Sequence, residues 1–479
     1  MKTTTNSAIS VFSMIAITLM LTTPGCIRDS ENIKPSWRIT GGINHLDIAN
    51  ARSLVIAGGD VETKSGVSLQ SDEPGISLFK ITDDGEFEEI KYYRIDTLYI
   101  ETDEGTVFGL DSVDISDIVQ PVALFNISAD YMIACFEQQK EGDPHNPYQF
   151  NYLVRKADGA VFDLPGRRPT FAEQSWSHGR MYSNEYGSHL IQADSEGNIY
   201  YIGNWIIYKL DIRDPGNITR EQLTVETLPG EDASNFRVNG HGHIIYNSGG
   251  MSTPETASFR FNSGTMQNPE KTLSPYWVGF DDNFYTSQEP GYTENNPGYP
   301  VIERINLENE DPVYEQIGLI DHPDAGYTSL KGSYMFRIKN QNKIIALAFN
   351  DDNEQQVDIV AEVYNDEMTV KSFGMDQLGV SEISFGASSG NYYYLAGRDD
   401  FQPVLVKVDP SVFPHRAEYL VPKGELDIFS MVVSGDDVVT FHAMSMSSSS
   451  IVIGEISPDG MITIHEKTGT EPMQLIRLQ

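Results

Sequence analysis

Cysteine is nearly absent from this chain: 479 residues hold two, Cys26 and Cys135. That excludes a disulfide framework, and no C-x-x-C pair of the kind that binds zinc occurs. Basic side chains are also scarce, with 33 Lys and Arg against 69 Asp and Glu and a net charge of −36. Such a surface repels nucleic-acid phosphates and anionic lipid head groups, so nucleic acid is excluded as a partner. The apolar run Ala8–Leu21 is shorter than the ~20 residues a helix needs to cross a bilayer. Helical 3.6-residue periodicity is missing beyond it. Period-two alternation and turn residues dominate instead, which predicts an all-β fold. Apolar residues make up 39% and aromatics 10%, enough for a sizeable core.

The N-terminus reads as an export signal, with Lys2 followed by the apolar run and then "TTPGC". That ending resembles the lipobox of bacterial lipoproteins. Gly25 before Cys26 fits the pattern, while Thr23 and Pro24 depart from it. The resemblance implies a signal peptide over residues 1–25, lipidation at Cys26 with palmitate among the acyl chains, and a linker over 26–39. The membrane would then be held by the lipid anchor alone. Ile27 after the cysteine implies the outer membrane of a cell envelope, and "RDSE" resembles the surface-export signals of Bacteroidetes lipoproteins. With Cys26 lipidated, Cys135 has no partner. It lies in the alternating run "YMIACFEQ" and reads as a small buried hydrophobe.

The segment "ADSEGNIYYIGNWIIYKLDI", residues 193–212, carries a turn between two apolar strands and then a third strand. The same order recurs near Leu54, Tyr131, Ile244, Phe284, Ile344, Tyr392 and Val438, which makes eight copies. Each continues into a strand with a charged residue at a fixed place: Lys80, Lys156, Lys209, Arg260, Arg304, Glu362, Lys407 and Glu455. These positions follow one another at intervals of 76, 53, 51, 44, 58, 45 and 48 residues. A polar fourth strand follows, as in "EFEEIKYYR" and "MITIHEK".

Four short antiparallel strands every 45–50 residues or so are what a β-propeller requires, because one sheet cannot cover both its faces and stacked neighbours can. Eight four-stranded blades over residues 40–479 are predicted as one domain, with seven blades as the alternative count. The first copy, "INHLDIANARSLVIAGG", supplies the first two strands of blade one in this reading, and residues 94–120 supply either extra strands or a linker. The charged residue of strand three reads as a solvated or blade-edge position. The pattern resembles the WD40, NHL and YVTN class of propellers in architecture, and propeller lipoproteins of Bacteroidetes type. No Trp-Asp or Gly-His dipeptide recurs in register, and no catalytic residue transfers.

Chemical motifs are correspondingly thin. "GASSG" around Ser388 has the spacing of a hydrolase elbow, but it falls at a hairpin with no following helix. "HGH", His241 and His243, lacks a nearby ligand set, so no metal site and no cofactor is assigned. The acidic turns lack the order of a calcium loop, which leaves only a structural calcium open.

Binding chemistry concentrates in the long connections from strand two to three and from strand four to the next blade, which share one face of a propeller. Residues 165–187 pack Arg167, Arg168, Trp176, His178, Arg180, Tyr182 and Tyr186 into an otherwise acidic chain, and Tyr292 stands in a second long connection. Arginine with aromatics suits carboxylates, sugar faces or a protein partner. The chain therefore reads as a non-catalytic, membrane-anchored binding module for an envelope protein, peptide or glycan. A propeller hydrolase or lyase on extracellular polysaccharide or peptide, and a structural part of an envelope complex, are the alternatives.

Overall fold

The computed structural model describes residues 42–478 except 59–60, 63–75, 103–104, 117, 141–142, 166–190, 204–205, 224–232, 249–255, 268–275, 289–300, 308, 310, 320–327, 351–352, 365–366 and 469–473. Within them, eight antiparallel sheets carry the repeats, and the chain is an eight-bladed β-propeller. Blade 3 shows the plan, with strands Ile191–Ala193, Ile199–Gly203, Ile206–Asp211 and Thr219–Gln222 paired in that order. Helix is confined to three short 3₁₀ turns among the described residues.

The second strands are continuous apolar runs because both of their faces are buried, each against a different neighbour. In blade 3, Ile199 and Tyr201 pack toward blade 2 while Tyr200 and Ile202 pack toward blade 4. In blade 7, Tyr393 and Leu395 meet blade 6, whereas Tyr394 and Ala396 meet blade 8. Period-two alternation thus feeds two seams from one strand. The fourth strand of blade 3, Thr219–Gln222, is exposed throughout and forms part of the rim.

First strands meet one another across the axis side. The Gln192 amide donates to Phe236 O at 2.8 Å and accepts from Val238 N at 2.9 Å, closing the free edge of the next blade's first strand. Gln474 does the same to both backbone groups of Leu124, at 2.7 and 2.6 Å. Each amide side chain stands in for a missing strand partner.

Blade 1 departs from the expectation. Its first strand is Gln474–Arg477, at the other end of the sequence, paired with Ala51–Gly58 in the register Leu54↔Ile476. His45–Leu46, the expected first strand, pairs with Tyr92–Tyr93 instead. The copy near Leu54 therefore contributes strand two, and the C-terminal segment closes the ring. Blade 8 gains a fifth strand, Val61–Glu62, on its outer edge at Lys467 and Thr468.

Residues 95–113 fall in a compact unit other than the one that holds the blades. They are extra strands rather than a linker, a hairpin made by the distal part of Tyr92–Thr102 and by Gly105–Asp114.

Candidate functional site

Arg167, Arg168, Trp176, His178, Arg180, Tyr182, Tyr186 and Tyr292, together with Cys26, lie outside the described residues. The sites that can be built from coordinates are therefore the third-strand charges, two buried clusters, and the connections of blades 7 and 8.

The third-strand charges form cross-strand rows. Register places Tyr200, Lys209 and Glu221 side by side in blade 3, Tyr285, Arg304 and Glu315 in blade 5, and Tyr394, Lys407 and Glu418 in blade 7. Blade 1 repeats the ionic half with Lys80 against Glu88 at 3.3 Å. In blade 6 the signs are exchanged, with Glu362 opposite Lys371. Several of these charges are not solvated, contrary to the expectation. Lys80, Glu362 and Glu455 are buried, and each is compensated by counter-charges or hydrogen bonds as a buried ion requires.

Glu362 and Glu455 are the two repeats that lack a cation at this position, and each is matched to a buried histidine. His415, with a fully inaccessible side chain, places Nε2 3.1 Å from Glu362 Oε2 and Nδ1 2.9 Å from the Tyr393 hydroxyl. An ionised carboxylate only accepts, so Nε2–H donates to Glu362 and Tyr393 O–H donates to Nδ1. Lys343 Nζ also donates to Glu362, at 3.1 Å, and to Pro410 O at 2.5 Å. Burial pushes the His415 imidazole down, and the Glu362 hydrogen bond restores only part of the loss. Burial alone would raise the Glu362 carboxyl, but its bonds from His415 and Lys343 outweigh that and hold it below the usual carboxylate range. Burial, reinforced by the Glu362 charge, lifts the Tyr393 phenol well above its ordinary value.

The second cluster lies where blade 8 meets blade 1. Glu455 accepts from His465 Nε2 at 2.9 Å, from Thr440 Oγ1 at 3.4 Å and from Arg52 of blade 1. Both clusters contain the residue types of acid–base catalysis, yet the sheets seal them. They hold seams between neighbouring blades.

The turns between strands one and two form a belt around the opposite face. Ser195 N donates to Gly240 O at 3.1 Å, and Gly240 N to Asp282 Oδ1 at 3.1 Å, so blades 3, 4 and 5 are joined through them. Asn340 N reaches Gly390 O at 2.9 Å between blades 6 and 7. "HGH" belongs to this belt: Asn239 Oδ1 accepts from the backbone of His241 and His243, and the exposed His241 ring lies 3.8 Å from Asp282. Gly242 is required there, since φ is +76° and a Cβ would stand 3.0 Å from the Tyr200 hydroxyl. Ser388 ends a strand and no helix follows it, so "GASSG" is a hairpin. Asp194 spends both oxygens on Asn198, Glu196 N and Tyr200 within its own turn. No grouping of three or more metal-binding side chains occurs among the described residues. Cys135 is buried as expected, and burial pushes its thiol up to about 12.

The connections of blades 7 and 8 show what the loop face presents. At the strand-two-to-three hairpin of blade 7, Asp399 accepts from the Tyr419 hydroxyl at 3.1 Å and from Lys423. Tyr419 also donates to Gly379 O at 3.2 Å, and Arg398 pairs with Asp427 at 3.4 Å. Lys423 Nζ stands 4.7 Å above the Tyr419 ring. Phe401 is 86% exposed, Met446 45% and Tyr419 43%. None of the three was named as a candidate from the sequence. Phe401 was missed because an isolated Phe in "RDDFQP" reads as a strand residue.

No known family model matches the chain, and neither does any curated protein. Similar solved structures include the following three. The β-propeller domain of the Trilobed protease from Pyrococcus furiosus is 9% identical over 76% of this chain and 96% of that one, with a TM-score of 0.39. Chaetomium thermophilum Sqt1, bound to the N-terminus of ribosomal protein L10, is 10% identical over 73% and 90%, with a TM-score of 0.39. Streptogramin B lyase is 12% identical over 59% and 83%, with a TM-score of 0.33. At such values the fold rests on this chain's own strand pairing.

Proposed function

We propose that this chain is a propeller held at a cell envelope by a lipid on Cys26, and that it binds an envelope protein, peptide or glycan through its loop face without chemistry. The observation that carries the reading is the contrast between the two kinds of polar group. The described groups of catalytic composition are sealed inside blade seams, while the loop face of blades 7 and 8 exposes Phe401, Tyr419 and Met446 beside the Asp399–Lys423 and Arg398–Asp427 pairs. Exposed aromatics rimmed by paired charges are the composition of a recognition surface. Arg167, Arg168, Trp176, His178, Arg180, Tyr182, Tyr186 and Tyr292 occupy connections of the same class in the sequence and are proposed to take part in the binding.

Recovery of partners from envelope membranes by the wild type, by an Arg167/Arg168/Trp176 triple-alanine variant and by a Cys26→Ala variant tests the reading. The triple variant is predicted to recover fewer partners or less glycan. The Cys26→Ala protein is predicted to leave the membrane fraction. Unchanged recovery by the triple variant contradicts loop-face binding, and membrane retention of Cys26→Ala contradicts the anchor.

A further inference from the structure

Phe401 occupies a backbone position that its side chain disfavours. Asp399 pairs with Gln402, so Asp400 and Phe401 are the two central residues of a tight hairpin. Their φ values are +48° and +65°, the left-handed pair that such a turn demands. Glycine or asparagine adopts that conformation readily, whereas a Cβ-bearing aromatic is strained there. The cost is not offset by burial, since the ring is 86% exposed. The tip is nonetheless held rigidly from below: Asp399 is fixed by Tyr419 and Lys423, and Arg398 by Asp427. Strain that local packing does not repay points toward function.

We propose that Phe401 is the anchor by which the loop face engages a protein partner, inserting into an apolar pocket whose rim is basic. This rests on the reading of the loop face as a binding surface. Three observations select that occupant. The ring stands in a two-residue hairpin and is 86% exposed, free to insert into a partner's apolar pocket. The hairpin and the residues paired to it carry four carboxylates, Asp399, Asp400, Asp427 and Glu382, against two cations, Arg398 and Lys423, so the complementary rim is cationic. A second copy of this chain, or an anionic lipid surface, meets the repulsion of a −36 charge.

The test uses the full-length, lipid-anchored protein. A Phe401→p-benzoylphenylalanine variant is irradiated in cells, and the crosslinked protein is identified and purified. Its affinity is then measured by calorimetry for wild type, Phe401→Gly and Asp400→Lys. Phe401→Gly is predicted to weaken binding by at least about 30-fold, the loss expected of an anchor residue. Its Tm should stay level or rise by about 1–3 °C, because glycine relieves the turn. Asp400→Lys is predicted to weaken binding several-fold, and less so at high salt. Absence of a protein crosslink, or equal affinity of Phe401→Gly, overturns the anchor while leaving other loop-face binding standing. A Tm drop of several degrees in Phe401→Gly overturns it too, since the ring would then be a packing group. Two further arms identify the wrong class: Phe401-dependent binding to zwitterionic phospholipid vesicles or to a neutral glycan array, without a protein partner, replaces the proposal.

Discussion

Glu362 and Glu455 stand where six other repeats carry Lys or Arg, and each exchange of sign is accompanied by a histidine at hydrogen-bond distance. In the sequence these residues read as solvated edge charges, because a lone charge in an alternating strand carries no sign of its partners. Register supplies what was missing: the compensating groups lie one strand over, or in the next blade. The pH dependence follows from the same geometry. His415 is held below its ordinary value of 6.5, so on acidification the unfolded chain takes up a proton that the buried ring resists. Its contribution is intact above about pH 6.5 and is lost as pH falls below it. Glu362, also held low, adds a second loss as pH drops below its ordinary 4.5. His415→Gln should cost on the order of 1–3 kcal/mol at neutral pH, by leaving the Tyr393 and Glu362 network incomplete. It should also flatten the decline of Tm between pH 7 and 5. An acid limb identical to that of the wild type would show that His415 is not its source.

At the scale of the strand, the ring depends on a segment far from its partner in sequence. Gln474–Arg477 is the first strand of blade 1, and Leu475, Ile476 and Leu478 are buried there. At about 1.5–3 kcal/mol for each buried side chain, its removal takes a large share of the 5–15 kcal/mol or so that a domain possesses. Deleting residues 474–479 is predicted to lower the denaturant midpoint sharply, and a synthetic peptide of the same residues should restore part of it in trans. An unchanged midpoint would mean that closure does not rest on this strand. Seven blades were legible as repeats because each lies contiguous in the chain, its turns falling where hairpins require them. Blade 1 was half legible: its second, third and fourth strands are local, while its first is separated from them by almost the whole chain. "INHLDI" sat in the expected place with the expected alternation, and only backbone pairing distinguishes it from "QLIRL". Residues 94–120 were ambiguous for a related reason, since a hairpin outside the repeat has no copies to align with.

For the whole molecule, the two faces differ in kind. The turns between strands one and two bond to one another around one face and are largely spent on holding the ring. The described connections from strand two to three and from strand four to the next blade lie on the other, where Phe401, Tyr419 and Met446 are exposed. Arginine and aromatic content directed attention to connections of this class, but composition cannot tell which side chains a turn forces outward. Phe401 became visible only through its backbone angle. Hydroxyl-radical footprinting of the protein in intact envelopes, compared with the purified protein, tests the loop-face account most directly. Phe401, Tyr419 and Met446 are predicted to be protected in the envelope, while Val412, Phe413 and Met461, exposed at turns between strands three and four, label equally in both states. Equal labelling of the first three residues, or protection of the second three alone, would contradict it.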